Sequence, residues 1–283
     1  MSAQRIDAHQ HFWRLARGDY GWLEPGMGPL YRDFEPADLA PLLARAGIAR
    51  SIAVQAAPSA AETDHLLALA ARTSSIAGVV GWIDFESPRA LEELAQRRRH
   101  PRFVGVRPMI QDILDERWML KPALAPVFEA LEKHGLAFDA LVRPAQLDAL
   151  CELVQRHPRL RVVVDHGAKP SIAQGSGWDG RARWQERMRA LARSGASVKI
   201  SGLLSEARPG AGLAELAPYV DTLLECFGPA RVLWGSDWPV LLGVADYERW
   251  WELSLELLRA LSHAELERVL GGNAVDFYRL EAA

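Results

Sequence analysis

Two histidines stand one residue apart in the stretch IDAHQHFW, residues 6–13. Side chains at i and i+2 of a β-strand share a face, so His9 and His11 are expected to look the same way and Gln10 the other. A pair of imidazoles on one face can hold a metal ion, stabilise an oxyanion or carry a proton. Of the eight histidines, only one more, His166 in DHGAKP, falls at an expected strand end. His65, His134, His157, His100 and His263 lie within helices, at helix ends or in a loop, where a structural or solvated role suffices. Among the acids Asp237 in GSDWP stands out. A carboxylate set between the apolar VLW and a Trp-Pro turn must be hydrogen-bonded or matched by a cation to stay charged. Capping the following turn is its structural alternative.

Other polar residues fall near strand ends. Asp84 closes the third expected strand and Asp139 lies inside the fifth, and both are site candidates. Asp165 precedes His166 and faces the opposite way if the strand stays regular, which suits a structural role. Arg107 in GVRPM and Arg143 in LVRP sit where a strand meets proline, and a planar guanidinium there can hold an oxyanion, a carboxylate or hydroxyls. Lys199 in SVKIS is hard to bury without a partner, and a salt bridge to a neighbouring strand is its expected role. Ten tryptophans is a high count for 283 residues. Trp13, Trp22, Trp82, Trp178 and Trp238 lie at strand ends or in loops, where an indole can stack on a sugar or simply fill the core.

The elements that must position these groups alternate along the chain. Short runs rich in β-branched residues occupy 5–12, 50–57, 76–85, 103–110, 136–143, 161–168, 196–203 and 231–238. Between them lie stretches with apolar residues at helical spacing, such as 35–47, 61–73, 88–99, 122–135, 145–158 and 182–195. Eight strand–helix units predict a parallel sheet closed into a (β/α)8 barrel, with catalytic groups at the C-terminal ends of the strands. A doubly wound open sheet is the rival, but no glycine-rich G-x-G-x-x-G turn follows the first strand. Two further helices follow the eighth strand, the second expected to pack across an end of the barrel. No linker divides the chain, so residues 1–283 are expected to form a single domain, with loop 168–181 its least regular part.

Bulk properties narrow the function. With 49% apolar and 24% charged residues and a net charge of −3, the chain is of ordinary globular composition and has no electrostatic reason to bind nucleic acid or an anionic membrane. Two distant cysteines read as free thiols, and no apolar run reaches the roughly 18 residues needed to span a bilayer. A cytoplasmic location is expected. Composition leaves a homo-oligomer open.

Taken in order, IDAHQHFW, FVGVRPMI, LAFDALVRP, VVVDHGAKP, VKISGL, WGSDWPV and GGNAVDFY resemble the amidohydrolase-2 branch of the amidohydrolase superfamily of TIM-barrel hydrolases, nearly end to end. Within it, FDALVRP and DHGAKP are most similar to hydrolases of sugar-acid lactones, of the L-fuconolactonase and L-rhamnonolactonase type. Metal-rich members of the superfamily add a lysine or glutamate on strand four and a histidine on strand five. Here strand four carries Arg107 and LAFDALVRP has no histidine, so the resemblance implies at most one Zn2+ or other divalent ion, held by His9, His11 and Asp237 with His166 nearby. Since the lactonases of this branch can work without a metal, it also implies that none is required.

The resemblance further implies a reaction. Asp237 takes a proton from water as it adds to a lactone carbonyl; His9, His11, His166 and Arg107 are the groups available to stabilise the oxyanion. Asp237 or His166 then protonates the leaving alkoxide. Lys169, Trp178 and Trp238, with Asp84 and Arg143, are expected to recognise the substrate. A zinc-dependent decarboxylase of small carboxylic acids and a non-catalytic barrel that binds a sugar acid are the competing readings. The first would need tightly bound metal; the second would not need Asp237.

Overall fold

Valine, isoleucine and alanine fill strands that are buried on both faces, as helices wrapped around a parallel sheet require. In the computed structural model, which describes residues 4–281 apart from the side chain of Ser176, these are β1 Ile6–Gln10, β2 Arg50–Val54, β3 Ile76–Gly81, β4 Phe103–Val106, β5 Ala137–Ala140, β6 Arg161–Val164, β7 Ser197–Lys199 and β8 Val232–Leu233. They pair in chain order, each parallel to the next. The segment after β8 returns to β1: Ala8 donates its N–H to the Trp234 carbonyl at 3.1 Å, His11 donates to that of Trp238 at 2.7 Å, and Asp237 donates to that of His9 at 2.8 Å. The sheet thereby closes into the expected (β/α)8 barrel.

The helices are α1 Pro36–Ala46, α2 Ala60–Arg72, α3 Ala90–Arg97, α4 Ala125–His134, α5 Leu147–Arg156, α6 Arg181–Arg193, α7 Leu213–Phe227, α8 Tyr247–Leu257, α9 His263–Glu267 and α10 Asn273–Tyr278. Local chemistry sets their ends. Glu35 and Asp38 form a reciprocal capping box on α1, and the Ser59 hydroxyl accepts from the Glu62 N–H to start α2.

The lower barrel is packed by Ile6, Ala8, Ile52, Val54, Val80, Val163 and Leu233, and Ala274, Tyr278 and Leu280 join this cluster from α10 and the residues after it. The C-terminal segment therefore does cross one end of the barrel. It reaches the sheet because Gly271 has no side chain: a Cβ there would lie 2.1 Å from the Gln4 carbonyl oxygen. The opposite end is left to the loops that follow the strands. Cys151 and Cys226 are free thiols. Among the described residues, no helix is long and apolar enough to cross a membrane.

Candidate active site

β1 carries Asp7, His9 and, just beyond its end, His11 toward the barrel axis, as the two-residue period requires. Asp7 anchors this segment to the one after β8, since its Oδ1 accepts from the N–H groups of His9 at 3.2 Å and Ser236 at 2.9 Å. Tyr247 donates to its other oxygen at 3.1 Å. With those two backbones fixed, the carboxylate of Asp237 meets three imidazoles. Its Oδ1 is 3.2 Å from His11 Nε2, 3.7 Å from His9 Nε2 and 3.9 Å from His166 Nε2. His9 and His11 rings stand 5.0 Å apart, so they do share a face.

Regular strand geometry cannot explain β6. The strand ends at Val164 and the chain enters a tight turn over Asp165–Ala168, with His166, Ala168 and Lys169 in left-handed conformations, as Asp237 is too. Such conformations are costly for residues with a Cβ and cluster at functional sites. The turn brings both Asp165 and His166 inward, and this corrects the expectation that Asp165 faces away. His166 Nδ1 contacts the Ser201 hydroxyl at 2.9 Å.

Asp165 is the centre of a buried charge network. Lys199 Nζ lies 3.0 Å from its Oδ1 and Arg107 Nη1 lies 3.3 Å from its Oδ2. Lys199 also binds Asp139 Oδ2 at 2.5 Å, and Tyr278 donates to that same oxygen at 2.7 Å. The two cations reach opposite nitrogens of one ring: Lys199 Nζ is 3.0 Å from His9 Nδ1 and Arg107 Nη1 is 3.2 Å from His9 Nε2. Arg107 is held in place by the Gln55 carbonyl.

These surroundings set the protonation states. Burial, reinforced by Lys199, holds His9 well below the ordinary imidazole value. Burial likewise lowers His166, to about 4. Burial would raise the carboxyls of Asp165 and Asp237, but the charges facing them prevail. Lys199, His9 and Arg107 keep Asp165 well below the usual range, and the facing His166 ring and a hydrogen bond with His11 do the same for Asp237. His11 has an acceptor at each nitrogen, the Val54 carbonyl at 2.8 Å and Asp237 at 3.2 Å.

A cavity of about 680 Å³ opens above this cluster, and His11, Arg107, His166, Lys169 and Asp237 line it. Its apolar walls include Trp22, Met109 and Leu141, with Asp19 and Gln111 among its polar groups. Trp22 is fixed by a 2.8 Å hydrogen bond from its indole N–H to the Ala56 carbonyl. Lys169 is paired with Glu206 at 3.6 Å.

Four expected substrate contacts lie elsewhere. Asp84 is exposed and caps its own turn, accepting from the Glu86 N–H at 3.0 Å. Arg143 is exposed and is absent from the cavity wall. Trp178 is half-buried 6.2 Å from Trp184. Trp238 is 1% exposed, packed edge-on against Phe34; as a flat apolar side chain between two core elements it fills volume. Sequence reasoning missed Asp19, Gln111, Met109 and Gly202. The last has φ +64°, and a Cβ on it would lie 2.5 Å from His166 Nδ1 and 3.0 Å from Asp237 Oδ2. The GL in VKISGL was visible, but nothing marked it as adjoining the site.

The donor set suits a divalent ion. Ligand atoms of His9, His166 and Asp237 lie within 4.8 Å of one another, and neutral imidazole with carboxylate is a zinc-type combination. His9 and Asp237 belong to the set expected from the sequence, with His166 expected nearby. An ion on His9 Nε2 needs the ring proton on Nδ1, where Asp165 Oδ1 at 3.4 Å can accept it.

Comparison with known proteins shows the family of the chain. A family model described as Amidohydrolase matches residues 6–280. A curated L-fucono-1,5-lactonase of Burkholderia ambifaria is 45% identical over 98% of this chain and 96% of its own. One of Burkholderia multivorans is 39% identical over 99% and 97%. The crystal structure of an amidohydrolase from Burkholderia multivorans with bound zinc superposes with a TM-score of 0.92 at 36% identity, covering 99% of this chain and all of that one.

Proposed function

This chain belongs to the amidohydrolase family, and on that premise we propose that it opens the lactone ring of a sugar acid to the free aldonic acid. L-fucono-1,5-lactone is the substrate named for both curated relatives. The observation that carries the mechanism is the Asp237 carboxylate, ringed by three histidines at 3.2 to 3.9 Å on the floor of a cavity.

Asp237, ionised at neutral pH, accepts a proton as water attacks the lactone carbonyl. So acidic a carboxylate is a weak base, and a lactone, as an activated ester, is an electrophile that tolerates one. Arg107, fixed by Asp165 and Gln55, presents positive charge to the oxyanion, with His9 beside it. The proton then passes from Asp237 or His166 to the alkoxide that leaves. Trp22 offers a flat apolar face for one side of the sugar, while Asp19, Gln111 and Lys169 are placed for its hydroxyls.

His9, His166 and Asp237 are the residues that would hold a divalent ion, which when bound polarises a carbonyl and acidifies water. We read the ion as dispensable, because Arg107 already brings a fixed cation to the same place. The test is acid release from a panel of aldonolactones, L-fucono-1,5-lactone among them, by the purified wild-type chain. Turnover well above the uncatalysed rate is expected. No acceleration with any of them would overturn the assignment.

A further inference from the structure

The loop between β1 and α1 brings a carboxylate, that of Asp19, to the cavity wall, apart from the cluster around Asp237. We propose that Asp19 is the specificity-determining residue of the site: it accepts hydrogen bonds from two neighbouring hydroxyls of the lactone and so selects polyhydroxylated lactones over plain ones. The inference rests on the lactonase reading above and adds what the site demands of the ring's substituents.

Local contacts set the course of this loop. Trp13 and Phe34 exchange backbone hydrogen bonds at 3.1 and 2.9 Å, which closes it at its base. A 3-10 turn over Leu15–Arg17 ends at Gly18, whose φ of +70° turns the chain, and Asp19 and Trp22 follow in the cavity wall. Each is tied to the segment that leaves β2. The Ser59 hydroxyl donates to Asp19 Oδ1 at 3.0 Å, and the Trp22 indole N–H donates to the Ala56 carbonyl at 2.8 Å. That segment is itself clamped by Glu62, which accepts from the N–H groups of Ala56 and Ala57. Two contact groups on one loop are thus fixed before substrate arrives, which reduces the ordering cost of binding.

The count of acceptors gives the ligand chemistry. An ionised carboxylate offers about four lone-pair positions, two on each oxygen. At Asp19, Oδ1 uses one for Ser59 and Oδ2 uses one for the Arg17 guanidinium, so each oxygen keeps a free position. The side chain remains 16% exposed. Two free acceptors on the two oxygens of one carboxylate match two hydroxyls on adjacent ring carbons, each of which can donate. Trp22 on the same loop, with Met109 and Leu141, supplies apolar surface for the C–H faces of the ring. Arg107 lies at the floor and brings donors to the carbonyl end, while Asp19 brings acceptors to the hydroxyl end, and this polarity sets the orientation of the ring. A lactone without hydroxyls would strip water from Asp19 and put nothing in its place, which costs binding energy.

The test compares wild type and Asp19→Ala, both shown to be folded by circular dichroism, on L-fucono-1,5-lactone and on δ-valerolactone, which has the same ring and no hydroxyls. The contact is made in ground state and transition state alike, so for L-fucono-1,5-lactone KM should rise about tenfold or more, with kcat changed far less. The preference for the hydroxylated lactone, as the ratio of the two kcat/KM values, should fall by a similar factor. A merely structural role would lower kcat/KM equally on both lactones, and that result would overturn the proposal, as would a KM within about twofold of wild type. Where δ-valerolactone is turned over too slowly to follow, the split between KM and kcat decides alone. Should Asp19→Ala fail to fold, Asp19→Asn, which keeps the shape but makes a donor of one acceptor, is read by the same measure. Absence of turnover of every lactone by the wild type would sink the assigned reaction, whereas an active wild type whose preference survives in the variant would sink the role of Asp19, so the two failures are separable.

Discussion

Gly202 lies directly against His166: with φ at +64°, its missing side chain leaves room for an imidazole whose Nδ1 would be 2.5 Å from a Cβ. The same absent methyl would press on Asp237 at 3.0 Å. A glycine here permits both the left-handed backbone and the approach of two site groups.

Gly202→Ala should therefore damage turnover more than fold. Displacing reacting groups by about an ångström can cost on the order of a hundredfold in rate, and that loss is expected in kcat, with Tm lowered by several degrees. Retention of wild-type kcat would mean that His166 and Asp237 do not need their observed positions.

Trp22 should act on binding. Trp22→Ala removes a cavity wall that touches substrate and transition state alike, so KM should rise several-fold with kcat nearly unchanged. Asp84→Ala and Arg143→Ala, both outside the cavity, should leave both constants within about twofold. A larger effect at Asp84 or Arg143 than at Trp22 would contradict the placement of the substrate.

Chelation should spare the reaction. Because Arg107 supplies a fixed positive charge beside His9, metal-stripped protein is expected to retain most of its turnover while still taking up about one zinc per chain. Loss of nearly all turnover on stripping, restored by zinc, would show that Arg107 does not replace the ion.

Glu62 gives a pH signature away from the site. Its carboxylate accepts from the Ala56 and Ala57 N–H groups behind the cavity wall, at 2.8 and 3.1 Å, and burial pushes it from 4.5 up to about 8. The folded chain thus keeps a proton that the unfolded chain releases between those values. The stabilising contribution is fully present below pH 4.5 and is lost as pH rises through about 8. Glu62→Gln, which cannot ionise, should gain in Tm relative to wild type as pH is raised from about 5 to about 8. A difference that stays constant over that range would contradict the shift.

Much of this was legible in the sequence, for physical reasons that can be named. Buried parallel strands must be apolar on both faces, so VVGW, RVVV and their counterparts declared themselves, and the two-residue period put His9 and His11 together. The same period misled at Asp165, because it presumes a strand that continues, whereas β6 stops at Val164 and the left-handed turn at His166 redirects both side chains. Proximity to a strand end was too coarse for Asp84 and Arg143, which lie at strand ends but point to solvent. Tryptophans gave no signal of their own: Trp22 lines the cavity and Trp238 fills the core. Asp19 and Met109 come from irregular loops, whose course no periodicity reports.

The central claim, that Asp237 drives water onto a sugar-acid lactone, is tested most directly by hydrolysis of L-fucono-1,5-lactone by Asp237→Asn and wild type, after circular dichroism shows both folded. The substitution keeps the shape and much of the hydrogen bonding but cannot accept a proton from water. General-base catalysis contributes about 10²- to 10⁴-fold, roughly 3 to 5 kcal/mol, so kcat should fall by that factor with KM largely preserved. A folded Asp237→Asn that keeps more than about a tenth of wild-type kcat would contradict the account and move the base to His166 or to a metal-activated water.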